Sequence, residues 1–186
     1  ELSPNEQIDI ECELLEPIKD RILVMIDGNH EKRAWKSEGI SPMYQVAKRL
    51  NIFDKYSPGA YLLFISFGKS QGRTSRKMIY SLYGRHHTSG GKRPGSKANA
   101  LEDMSMIIDA DIYMVSHSHL PLGMKKSFFR CDYRNRKITQ VDKLFVNSNA
   151  FLNYGGYGEE LGFSPTSTQY PKIILDGIER NAKVLI

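Results

Sequence analysis

Apolar positions in the first fifty residues recur at helical spacing, then as a run, then at helical spacing again. Ile8, Cys12, Leu15 and Ile18 follow Ser3-Pro4-Asn5-Glu6, which combines a Ser cap, Pro in the first turn and Glu at the capping-box position, and so predicts a helix. Ile22 to Ile26 is continuously apolar, as in a strand covered on both faces. Ser41-Pro42 opens a second helix by the same logic, with Met43, Val46, Ala47 and Leu50 on one side. Residues 60–67 and 76–83 read as strands joined through Gly68–Thr74, and 85–96 as a loop carrying Gly90, Gly91, Pro94 and Gly95. Lys97 to Asp109 predicts a helix with Leu101, Met104, Ile107 and Ile108 inward, and Ile112 to Val115 another buried strand. Strands then follow at 122–131, 137–147, 168–175 and 183–186, with a flexible loop at Gly155-Gly156-Tyr157-Gly158. With no internal repeat and no linker, the order predicts a single α/β domain over 1–186, two packed mixed β-sheets flanked by helices.

The 186 residues suffice for one domain with a real core, and 40% hydrophobic with 25% charged content is that of a soluble globular chain. No apolar run approaches the roughly 20 residues that span a bilayer, so no membrane partner is expected. Glu1-Leu2-Ser3-Pro4 has neither the basic nor the apolar part of a signal peptide. Cys12 and Cys131 lie far apart and outside any ligand motif, as reduced thiols of a cytoplasmic protein would.

Charge is distributed unevenly around a net +5. Residues 1–20 hold seven acids and one lysine, whereas Lys55 to Leu101 holds nine bases and no acid. A second basic run comprises Lys125, Lys126, Arg130, Arg134, Arg136 and Lys137, broken by Asp132. Such asymmetry points to a polyanionic partner, or else to a solvated basic surface and lysines guarding strand edges.

All five histidines fall in three clusters, each after an apolar run: Gly28-Asn29-His30-Glu31, His86-His87, and Ser116-His117-Ser118-His119. Histidine is both the commonest metal ligand and a proton donor near neutral pH. Loops at strand ends are where α/β folds gather reactive side chains. In the first cluster the Asn29 amide oxygen can bind a cation, and His30, if not a ligand, can protonate a leaving group; a structural Asn-His turn is the plain alternative. The imidazoles of His117 and His119 point apart in an extended segment but can converge in a turn. His86-His87 opens a glycine-rich, cationic loop that can cradle an anion or simply turn at the surface.

Taken together, these clusters resemble the calcineurin-like metallophosphoesterases, whose ordered motifs are Asp-x-His, Gly-Asp-x-x-Asp, Gly-Asn-His-Asp/Glu, an isolated His, and Gly-His-x-His. Gly28-Asn29-His30-Glu31 matches the third, His86 the fourth, and Ser116-His117-Ser118-His119 the fifth with Ser for Gly. The tract from His86 through Gly95-Ser96-Lys97-Ala98-Asn99 is similar to a phage-type subset and favours His86 over His87. The resemblance covers roughly residues 1–150. The chain contains no Asp-x-His and no Gly-Asp, so the first two motifs are absent. Two βα units need about 60 residues, and 27 precede Gly28. The expectation is the C-terminal portion of a longer enzyme, its αββα sandwich incomplete at the N-terminus.

The resemblance implies that Asn29, His86 and His117 bind one metal and His119 the other, with His30 assisting the leaving oxygen. Arg33, Lys92 and Arg93 are candidates for phosphate contacts, with solvated surface charge as the alternative. Two divalent transition-metal ions are implied; Mn²⁺ leads, and Zn²⁺, Fe or Ni²⁺ also suit Asn, His and carboxylate donors. The implied activity is metal-dependent phosphoester hydrolysis, phosphodiesterase or nuclease-like, with the acid-free tract tilting the substrate towards nucleic acid. A phosphomonoesterase, or a non-catalytic nucleic-acid-binding remnant, is the alternative. A structural zinc domain fits poorly, because neither cysteine lies near a histidine.

Overall fold

In a computed structural model the described residues are 2–68, 77–86, 93–117, 120–149, 155–160, 162, 165 and 167–186. The chain is mixed α/β and divides into two compact units, 1–61 and 62–186.

The first unit starts with α1 (Pro4–Leu15), where Glu6 accepts from the Ser3 N–H at 2.7 Å and closes the expected capping box. After a 3-10 stretch at Glu16–Arg21 come β1 (Met25–Ile26), α2 (Asn29–Glu38), α3 (Pro42–Arg49) and β2 (Tyr56–Ser57). Helix α3 forms as expected, with the Ser41 hydroxyl accepting from Tyr44 N–H and Val46, Ala47 and Leu50 buried. These three pack with Ile8, Met25 and Ile52 into one core. Burying a side chain such as Leu50 contributes about 1.5–3 kcal/mol.

Two expectations fail in this unit. The apolar run 22–26 gives a strand of only two residues, because β1 pairs in parallel with β2 alone over Met25↔Tyr56 and Ile26↔Ser57. Leu23, expected to be covered, is 59% exposed. Helix α2 was not foreseen: Asn29–Glu38 has no continuous apolar stripe, so periodicity gives no signal. Its ends explain it instead. Gly28 N–H donates to Glu31 Oε2 at 2.8 Å, and Gly39 closes the helix at φ 69°.

The second unit is built on a five-stranded sheet in the order β3 (Tyr61–Phe67), β4 (Met78–His86), β5 (Ile112–Ser116), β7 (Lys137–Asn147), β6 (Leu122–Asp132). β4, β5 and β7 run parallel, and β6 is antiparallel to β7. Helix α4 (Pro94–Asp103) makes the crossover between β4 and β5. It ends earlier than the expected 97–109, giving way to a 3-10 turn at Met104, which leaves Ile107 exposed. Leu101, Met104, Ala110, Tyr113, Val115 and Phe145 form the core, with Tyr113 and Phe145 stacked at 4.8 Å. A hairpin of β8 (Lys172–Leu175) and β9 (Ala182–Leu185) adds a third sheet, and a short helix, α5 (Tyr157–Glu160), stands in the segment expected to be a loop. A Cβ on Gly123 would come within 2.4 Å of Val184 Cγ1, so β9 packs directly on the β6 backbone. Among the described residues no helix is long and apolar enough to cross a membrane.

Candidate functional site

The two described histidines of the second unit, His86 and His117, stand at the C-terminal ends of adjacent parallel strands. β4 runs three residues past its expected end, which makes His86 its last residue and register partner of Ser116. The next residue, His117, then meets His86 with ring centres 4.7 Å apart and planes at 62°. The Ser116 hydroxyl lies 3.5 Å from His86 Nδ1, which gives a use to the Ser found where the resembling motif has Gly.

His117 holds this place at φ 99°, in the region that favours glycine. A non-glycine residue there costs on the order of 1–3 kcal/mol. The neighbouring strand bonds the chain on either side of this residue. Asn147, fully buried at the end of β7, donates from Nδ2 to Leu120 O, and Ser148 N–H donates to Val115 O at 2.8 Å. Asn147 escaped sequence reasoning; its signal was a polar residue closing an apolar strand. Next to His86, the Arg85 Nε is buried and has no hydrogen-bond partner among the described residues.

The pair fits a shared cation. At metal–nitrogen distances of about 2.0–2.1 Å, two imidazoles on one ion hold their ring centres about 4.5–5 Å apart. The two histidines that the sheet brings together are those that the resemblance assigns to one metal. Among the described residues no group of three or more His, Cys, Asp or Glu side chains converges. His119, Lys92 and His87 lie outside the described residues. Arg93 is exposed, and its carbonyl accepts from Ser96 at the start of α4. Lys97 is buried in that helix, and desolvation pulls its pKa below the ordinary lysine value.

In the first unit, Gly28-Asn29-His30-Glu31 forms the first turn of α2, not the end of a long strand. Asn29 is half-buried and His30 exposed. Arg33, one turn on, places Nη2 3.5 Å from His30 Nε2. Glu31 caps the helix, which accounts for an acid at the fourth motif position without any catalytic role. Beneath the turn sits Asp27, a buried carboxylate that sequence reasoning passed over. Its oxygens accept from the Ser41 hydroxyl at 2.9 Å and the Tyr56 hydroxyl at 2.8 Å. Burial raises the Tyr56 pKa, keeping that hydroxyl a donor. Asp27 thereby ties the motif turn to α3 and β2.

No protein-family profile, curated protein or solved structure matches this chain.

Proposed function

We propose that the chain is part of a metal-dependent phosphoester hydrolase of the calcineurin-like metallophosphoesterase type, a cytoplasmic enzyme with an αββα sandwich and phosphodiesters as its substrate class. The observation that carries this reading is the convergence of His86 and His117 at the ends of parallel β4 and β5, with His117 held in a strained backbone.

His86 and His117 would hold a divalent ion, Mn²⁺ or a similar transition metal. Such an ion, when bound, supplies Lewis acidity and lowers the pKa of bound water to give a hydroxide nucleophile at neutral pH. Ser116 stands beside the His86 ring, and Asn147 bonds Leu120, three residues after His117. In the first unit His30 is exposed on the first turn of α2, and it is the resemblance that gives it the role of assisting a leaving oxygen. The neighbouring Arg33 favours the charged oxygens of a phosphoester.

Metal content after Mn²⁺ loading and desalting tests the reading, together with hydrolysis of a bis-aryl phosphate against an aryl monophosphate. Bound metal that is lost in His117→Ala, with faster turnover of the diester, is the expected result. Equal metal content in wild type and His117→Ala would overturn the assignment.

A further inference from the structure

The β6–β7 hairpin reaches beyond the sheet that carries it. β7 pairs with β5 only over Leu144–Asn147, so its outer part, 137–143, has β6 as its one pairing partner among the described residues. The basic run of this hairpin divides in two. Lys126 pairs with Glu102, and Arg130 with Asp109 at 2.8 Å, so these cations are neutralised at the surface by acids of the segment before β5. At the tip, Arg134, Arg136 and Lys137 have no ion pair among the described residues. The one acid there, Asp132, is occupied by Asn135, whose side-chain and backbone N–H groups lower its pKa.

Two large rings of the same hairpin stand in the open, Tyr133 in the turn beside these cations and Phe129 three pairs back along β6. Phe129 is 80% exposed and Tyr133 89%, although aromatic side chains of this size are ordinarily core material. Arg136 sits at φ 49°, where glycine would be unstrained, so a charged residue is kept at the turn against its backbone preference.

We propose that this tip binds single-stranded nucleic acid, with bases stacking on Phe129 and Tyr133 and phosphates meeting Arg134, Arg136 and Lys137. Aromatic platforms interleaved with cations are the means by which proteins hold unpaired strands, whose bases offer free faces that a duplex hides. Charge complementarity favours a polyanion over a second copy of this chain, since the net charge of +5 would set two copies in repulsion. The surface stands independently of the metal reading.

The test is fluorescence anisotropy of a labelled oligo-thymidylate with the full chain, in chelator so that no metal contributes. Phe129→Ala/Tyr133→Ala should weaken binding roughly tenfold or more while leaving the salt slope unchanged. Arg134→Ala/Arg136→Ala/Lys137→Ala should reduce that slope by about 2, at about 0.7 per phosphate contact. A duplex of equal length and heparin should bind more weakly and ignore the aromatic change. All substituted residues are at the surface, and matching thermal unfolding checks that the variants fold. Unchanged oligonucleotide binding in the aromatic variant would overturn the proposal, as would absence of binding at low salt. The same follows if the variants lose affinity for anionic lipid vesicles and not for the oligonucleotide.

Discussion

The parallel strands of the second unit end in two different ways. At their N-terminal edge, polar groups serve one another. Asp111 Oδ2 accepts from the Ser81 N–H at 2.9 Å, the Ser81 hydroxyl at 3.0 Å and Arg180 at 3.2 Å. The buried Tyr113 hydroxyl donates to Ile108 O at 2.7 Å and accepts from Ala110 N–H and from Lys143 Nζ, which also meets Asp109 at 2.6 Å. At the C-terminal edge, two imidazoles face each other and one of them stands at φ 99°. The first edge gathers hydrogen bonds and ion pairs around buried groups, whereas the second holds one of its residues in a strained backbone. The strained residue lies at the edge where α/β proteins place ligands.

Breaking the C-terminal edge should abolish function without unfolding the chain. His117→Ala is expected to eliminate metal-dependent phosphodiester turnover in an intact protein, read by activity and metal content, while thermal unfolding stays near wild type. A large fall in the unfolding temperature would instead place His117 among the structural residues and erase the contrast.

The reverse holds at the N-terminal edge. Tyr113→Phe keeps the ring that stacks on Phe145 but removes the hydroxyl that joins Ile108, Ala110 and Lys143. Leaving buried partners unsatisfied costs about 1–3 kcal/mol. Denaturant unfolding should show that loss, and metal binding should be unaffected.

The sequence revealed elements with a strong period and missed those set by their ends. Helix α3 was legible from Val46, Ala47 and Leu50, and β5 from its apolar run. Helix α2 was not, because its polar residues form a helix through the Glu31 cap and the Gly39 stop. The apolar run 22–26 promised more strand than the single partner β2 could pair. Spacing and resemblance marked His86 and His117 as chemistry-bearing residues. What unites them is the parallel register that sets His86 opposite Ser116, and no local pattern announces that pairing. The basic run 125–137 read as one patch, and only tertiary pairing of Lys126 and Arg130 separates its neutralised part from its tip.

Strain at the C-terminal edge can be measured apart from the imidazole. His117→Gly removes the Cβ that conflicts with φ 99°, relieving about 1–3 kcal/mol. The greater freedom of glycine in the unfolded chain offsets about 0.4–1 kcal/mol of this. His117→Gly should therefore be more stable than His117→Ala by about 1 kcal/mol in denaturant unfolding, with both variants losing metal. Equal stability would show that the turn carries no strain.

The smallest effect expected is electrostatic and sharpens the N-terminal edge. Burial works against the charge of Asp109, but hydrogen bonds from Lys143 and Arg130 and their positive charge hold its pKa below the ordinary value. Burial likewise pulls Lys143 down, and its bonds to Asp109 and Tyr113 push it net upward. A depressed carboxylate contributes stability that is full above its unfolded pKa, about 3.9 for Asp. That contribution is lost as the pH falls from there through the lower folded value. Asp109→Asn should consequently lower the unfolding temperature at pH 7, and the gap should close below about pH 4. The Asp109 side chain is 59% exposed, so solvent screening keeps the shift modest. A gap that persists unchanged into acid would mean that the side chain acts through packing or neutral hydrogen bonds, and that charge does not secure this edge.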